Sequence, residues 1–182
     1  MRVFLNPGHA PNGQPDPGAV NHTTGLRECD VAKSIADLVE HYLTTAGVQV
    51  VGNLQSDSLA EITSASDASG ADLFVSIHCN SFNTVAHGTE VGHYHTSREG
   101  KRLAECIQRQ IVDALGTTDR GAKSAVPGEN GLYVLTNTDA ISCLVECAFI
   151  DHDEEEKLLR YRQDDFARAI ARGITDYELE AE

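Results

Sequence analysis

An α/β fold is predicted by two observations on this 182-residue chain. Strand-like and helix-like segments alternate from end to end, which is the pattern of a sheet sandwiched between helices. No internal repeat, low-complexity tract or linker interrupts the alternation, and the length suits one domain over 1–182 with a sizeable core.

The elements follow in order. Val3 to Asn6 read as a first buried strand, and Pro7 to His22 as a loop rich in Gly, Pro and Asn. Val31, Ile35, Leu38, Val39, Tyr42, Leu43 and Ala46 recur with helical period, and Gly47 ends that helix. Val48 to Val51 is a short strand. Leu59 to Ser69 is a weaker helix closed by Gly70. Leu73 to His78 is an apolar run of strand length, suited to the sheet centre. Thr89 to His95 reads as another strand, and Leu103, Ile107, Ile111 and Leu115 mark a second strong helix. Gly116 to Gly131 is expected as a long polar loop, of a length that often serves function. Ile141 to Phe149 is the last strand. Asp153 to Tyr177 is expected as one terminal helix, its acidic start suited to the helix dipole.

Composition narrows the function classes. The formal net charge is −14, a surface that repels phosphate backbones and argues against nucleic acid. No apolar run reaches the length needed to cross a bilayer. The N-terminus is interrupted too early, at Asn6-Pro7-Gly8, to act as a signal peptide. Five cysteines form no CxxC pair, and small buried hydrophobes are the economical reading.

Three polar residues sit where α/β folds place their chemistry, at strand ends and helix starts. His9 follows the first strand, Glu28 heads the first long helix, and His78 ends the central strand. Two imidazoles and a carboxylate form a common ligand set for catalytic zinc, with a further position left open. Such a zinc activates water and polarises a carbonyl, the equipment that amide hydrolysis requires. A carboxylate is also needed to move the proton. Glu146 is the candidate, because it lies in the apolar strand Leu144-Val145-Glu146-Cys147-Ala148-Phe149, where a charge without a task is expensive. Singly, each residue has a plainer reading: a hydrogen-bonded histidine for His9 or His78, a favourable helix start for Glu28, a buried arginine pair for Glu146. Strand alternation turns Cys79 and Cys147 away from their neighbours His78 and Glu146, and puts Cys143 on the face of Cys147.

Taken together, the motifs resemble the zinc-dependent N-acetylmuramoyl-L-alanine amidases of cell-wall hydrolases, autolysins and phage endolysins. The resemblance spans essentially the whole chain. It rests on Pro7-Gly8-His9 followed by Asp16-Pro17-Gly18-Ala19, on Gly25 to Ala32, on Ala71 to Asn80, on Leu132-Tyr133-Val134-Leu135 with Asn137-Thr138, and on Leu144-Val145-Glu146-Cys147. It implies a single, largely parallel sheet of about six strands with helices on both faces. It implies Zn2+ held by His9, Glu28 and His78, Glu146 as general base and then acid, and Asn80 at the groove rim as substrate contact or plain loop. The substrate implied is peptidoglycan, cut between N-acetylmuramic acid and L-alanine. The chain departs from the family where an Arg often follows the second strand, carrying Leu54-Gln55-Ser56-Asp57 instead. It has no Arg between Leu59 and Ser69, and Cys79 in place of the usual Ala. The loop from Gly116 to Gly131 is the segment expected to set stem-peptide preference.

Two rival readings stay open on sequence. One is a non-catalytic peptidoglycan-binding or regulatory module of the same fold. The other keeps the ligand set and exchanges zinc for ferrous iron. An enzyme of this kind would act on the cell wall. It would be released by a holin or cut from an exported protein, with the Met1 start favouring a complete small protein. His93 and His95 are read as sharing the face of an exposed edge strand. His22, His41, His87 and His152 are read as surface or loop residues, and Asp151 to Glu156 as a solvated helix start.

Overall fold

The computed structural model describes residues 1–129 and 132–180. Its centre is a six-stranded sheet. The elements are β1 (Arg2–Pro7), α1 (Glu28–Thr45), β2 (Gln49–Asn53), α2 (Leu59–Ser69), β3 (Leu73–Asn80), β4 (Thr89–Tyr94), α3 (Arg98–Leu115), β5 (Asp119–Ala125), α4 (Tyr133–Thr136), β6 (Ile141–Phe149), α5 (Asp153–Tyr161) and α6 (Gln163–Glu180). Strand order is β2-β1-β3-β6-β4-β5. All pairings are parallel except β4 with β6.

Alternation along the central strands divides the core. Leu73, Val75, Ile77 and Cys79 of β3 join Cys143, Val145 and Cys147 of β6 on the face covered by α1, α3 and α6. Phe74 and Leu144 point the other way, toward Ile62 of α2 and Val134 and Leu135 of α4. His78 and Glu146 share that second parity, so the chemistry sits on the thinly covered face and the cysteines in the thick one. All five cysteines are buried and free. Leu103, Ile107 and Ile111 are fully buried on α3, each worth about 1.5–3 kcal/mol in transfer from water. A Cβ on Gly173 of α6 would stand 2.5 Å from the Ile107 Cα. That close approach of two helices needs a glycine.

Side chains and glycines set the helix ends. The Ser97 hydroxyl accepts the Gly100 N–H at 2.9 Å at the start of α3. Ser58 accepts the Glu61 N–H in the same way for α2, a cap worth about 1 kcal/mol.

Four expectations need correction. The segment expected as a loop from Gly116 contains β5, whose sequence Asp-Arg-Gly-Ala-Lys-Ser-Ala is polar because the strand is at the sheet edge and only partly covered. Charge on an edge strand discourages further pairing. Glu129 ends the described part of that segment, and its last two residues, 130 and 131, lie outside it. The terminal helix is two helices. Arg162, at φ −122° and ψ 27°, breaks the chain between them, and no Gly or Pro announces the break. The Gln163 carboxamide oxygen accepts the Ser34 hydroxyl at 2.6 Å, fixing where α6 sets off across α1. His93 is not on an edge: β4 lies between β6 and β5, His93 is 3% exposed in the core, and His95 follows the strand's end. The acidic helix start is not solvated throughout. Glu155 is buried and accepts the N–H groups of Gly88 and Phe149, both at 2.7 Å. Glu156 is buried against Thr24 and Arg160.

Candidate metal and catalytic site

β1 ends in Pro7, and the Gly8 N–H donates to the Ile77 carbonyl of β3 at 2.9 Å. This holds the loop against the sheet end. A Cβ on Gly8 would lie 2.3 Å from the His78 ring, so the close packing of the two segments requires glycine. His9 then adopts φ 65°, an uncommon conformation for a side chain of its size. Its Nδ1 faces Asp16 Oδ2 at 2.7 Å, and Asp16 Oδ1 accepts the Gly18 N–H at 2.9 Å. An Nδ1–H donated to Asp16 leaves Nε2 as the ring's free ligand atom.

Glu28 opens α1 and is only 4% exposed. Its Oε2 lies 3.0 Å from His9 Nε2 and accepts the Ala19 N–H at 2.8 Å. Its Oε1 lies 2.8 Å from His78 Nδ1 and accepts the Cys79 N–H at 3.0 Å. The His9 and His78 rings meet edge to face, centroids 5.0 Å apart. Candidate ligand atoms of His9, Glu28 and His78 all fall within 4.8 Å of one another, the only such three-residue group among the described residues. Burial works against the charge on both sides of this cluster, and the ion-pair partners overcome it. The His9 imidazole, drawn by Glu28 and Asp16, is pushed up to about 9. The Glu28 carboxyl, between the two imidazoles, is held well below the usual carboxylate range.

Glu146 stands on β6 directly beside His78 of β3. Its Oε2 is buried with no hydrogen-bond partner among the described residues. Among the described residues, no arginine pairs with it. Burial pushes its carboxyl up to about 7; His78 pulls the other way, and the like charges of Glu28 and Glu90 add to the rise.

Three neighbours escaped the sequence reading. Glu90 of β4 lies opposite Glu146, and its carboxylate accepts from Asn80 Nδ2 at 2.9 Å and Arg120 Nε at 2.7 Å. Its signal was its parity in Thr89–Tyr94, opposite to that of His93. Gln55, in the segment where the family often carries an arginine, donates from Nε2 to the carbonyls of Gly8 (3.0 Å) and Cys29 (2.9 Å), tying the loop before His9 to the start of α1. Asp16 lay within a quoted motif without an assigned role.

Two clefts meet over this row. One, of about 310 Å³, runs from His9 and His78 past Leu59, Ile62 and Tyr133. The other, of about 350 Å³, holds Glu146, Asn80, Glu90, Gly92 and Lys123. Leu132 and Leu144 line both.

A family model described as N-acetylmuramoyl-L-alanine amidase matches residues 3–176. The chain is 36% identical to the uncharacterised protein YqiI of Bacillus subtilis, over 96% of this chain and 84% of that one. It is 34% identical to the N-acetylmuramoyl-L-alanine amidase LytC of Bacillus subtilis, over 96% of this chain but only 35% of that one. Among solved structures, an N-acetylmuramoyl-L-alanine amidase from Clostridium difficile superposes with a TM-score of 0.88 at 29% identity, covering 100% of this chain and 97% of that one. The amidase AmiC2 of Nostoc punctiforme gives 0.86 at 32% identity, covering 98% and 97%. A sheet whose C-terminal ends bring two histidines and a glutamate together beside a buried carboxylate, in a chain matched along almost its whole length, belongs to the N-acetylmuramoyl-L-alanine amidase family.

Proposed function

We propose that the chain, acting as one catalytic domain, hydrolyses the amide bond between N-acetylmuramic acid and L-alanine in peptidoglycan. His9, Glu28 and His78 would hold a zinc ion. The observation that carries the reading is Glu146: a buried carboxylate with an unpartnered oxygen, one strand across from a metal-ligand candidate.

The donor set fits zinc. Two imidazoles and one carboxylate converge within 4.8 Å, Asp16 orients one ring from behind, and Gly8 and Gly18 leave no side chain in the space. When bound there, zinc supplies Lewis acidity, which lowers the pKa of water and polarises a carbonyl. Everything else falls to the chain. Glu146, with its carboxyl near 7, is poised both to take a proton from the attacking water and to return it to the departing L-alanine nitrogen. Its burial excludes competing solvent, and Glu90 keeps Asn80 oriented at the cleft wall, where Asn80 would contact substrate. The cell wall is the place of action this chemistry implies. Among the described residues, no helix is long and apolar enough to cross a membrane.

Digestion of purified peptidoglycan, with mass spectrometry of the products, tests the reading. Released stem peptides beginning with L-alanine are expected, lost on chelation and restored by zinc. Cleavage at a glycosidic or interpeptide bond instead would overturn it.

A further inference from the structure

We infer that Lys123 is a substrate-binding residue that receives a carboxylate carried by the stem peptide one residue beyond the leaving L-alanine. The inference rests on the amidase reading above and adds a direction and a partner to it.

Direction comes from the two clefts. The group that protonates the leaving nitrogen must lie beside it, so the peptide departs into the cleft lined by Glu146. The acyl portion, with its sugar, then occupies the cleft that starts at His9 and His78, where exposed Tyr133 and the aliphatic Leu59 offer apolar surface.

The peptide cleft is lined by two carboxylates, Glu90 and Glu146. A substrate carboxylate entering it meets repulsion unless a cation faces it. Arg120 is already bound to Glu90. Lys123 lines the cleft, and its side chain makes no ion pair or hydrogen bond with any described residue, in a chain with 28 acidic and only 14 basic residues. Position fits as well. Lys123 pairs with Gly92 of β4, and Gly92 with Leu144 of β6. Gly92 therefore forms a floor without a side chain between Lys123 and the strand of Glu146. Two strand spacings separate β5 from β6, roughly 10 Å. An extended peptide covers about 7 Å of this in two residues, and the lysine side chain reaches over the rest. That distance selects the second residue of the stem rather than the first.

The test uses two soluble substrates, N-acetylmuramoyl-L-Ala-D-Glu and the same compound with the α-carboxyl amidated, assayed with zinc-loaded wild type, Lys123→Met and Lys123→Arg. The wild type should favour the free acid about fivefold in kcat/KM, as befits an exposed ion pair, with the difference in KM and shrinking at high salt. Lys123→Met should bring the ratio to about one, and Lys123→Arg should keep it. Equal use of both substrates by the wild type, an undiminished preference in Lys123→Met, or a parallel loss on both substrates would overturn the assignment. Failure of the wild type to cleave either compound at the lactyl amide would instead overturn the amidase reading on which it rests.

Discussion

Replacing Gly18 by alanine separates backbone strain from damage to the ligand cluster. Gly18 has φ +68°, and a Cβ there would lie 2.4 Å from His9 Cδ2 and 2.6 Å from Glu28 Oε2. Gly25, in the same connection, has φ +73° and nothing within 4 Å of its would-be Cβ. Both substitutions force alanine into the left-handed region, costing about 1–2 kcal/mol. Only Gly18→Ala must also displace His9 or Glu28, neither of which can yield freely: Asp16 holds the one ring and two backbone N–H groups hold the carboxylate. Disturbing the support of a ligand costs about 10- to 100-fold in metal affinity. Urea unfolding of the chelated proteins and zinc titration against a competing chelator would measure the two effects. Gly25→Ala should lose stability and keep zinc affinity; Gly18→Ala should lose both. Equal zinc affinity in the two variants would refute the claim that Gly18 is required by the ligand cluster.

Three further predictions follow from the same geometry. In metal-free protein, the Glu146 carboxyl near 7, against 4.5 for an ordinary glutamate, makes ionisation harder in the folded state. The folded protein therefore loses stability as pH rises from about 4.5 through 7, by about 3 kcal/mol in all. Glu146→Gln should be close to neutral at pH 4 and stabilising at pH 8, read from urea midpoints; a constant difference across that range would contradict the burial argument. His9, pushed up to about 9, is protonated in the metal-free protein at neutral pH, whereas a ligand imidazole must be neutral. Zinc uptake at pH 7 should release about one proton from this site, by calorimetry in buffers of different ionisation enthalpy, and fewer as pH passes 9. Release that does not change with pH would contradict the His9–Glu28–Asp16 network. Gln55→Ala removes a donor shared by the Gly8 and Cys29 carbonyls. It should cost about 1–2 kcal/mol and loosen zinc binding, whereas an unchanged zinc affinity would show that the His9 loop and the start of α1 hold their geometry independently.

The cluster of His9, Glu28 and His78 and the carboxylate beside it were legible because His9 follows β1, Glu28 opens α1, and His78 and Glu146 break the apolar runs of β3 and β6, where a single polar residue is conspicuous. The parity of Cys79, Cys143 and Cys147 was legible for the same reason. What surrounds the site was not, because its signals are tertiary. Gln55 was noted only as part of a segment without the family's arginine; its value lies in two carbonyls that only folding brings together. Glu90 drew no attention in a strand read for its histidines, and the same reading put His93 on a sheet edge when β5 in fact covers that side. β5 itself has no hydrophobic pattern to find, since one edge pairing and a polar face suffice for it. The break at Arg162 carries no Gly or Pro, and is set by where α6 must pass between α1 and α3. Glu155 and Glu156 looked like solvated charge; their burial depends on nearby Phe149 and Arg160 and, decisively, on Gly88 and Thr24, which are far away in the sequence.

The measurement that tests the central claim most directly is zinc content and turnover of purified peptidoglycan in the same preparations of wild type, Glu146→Gln and His78→Ala. If His9, Glu28 and His78 hold the metal and Glu146 moves the proton, Glu146→Gln should keep one zinc per chain and lose at least about 10²-fold in rate. His78→Ala should lose both. Full activity in Glu146→Gln, or full zinc and activity in His78→Ala, would contradict the account.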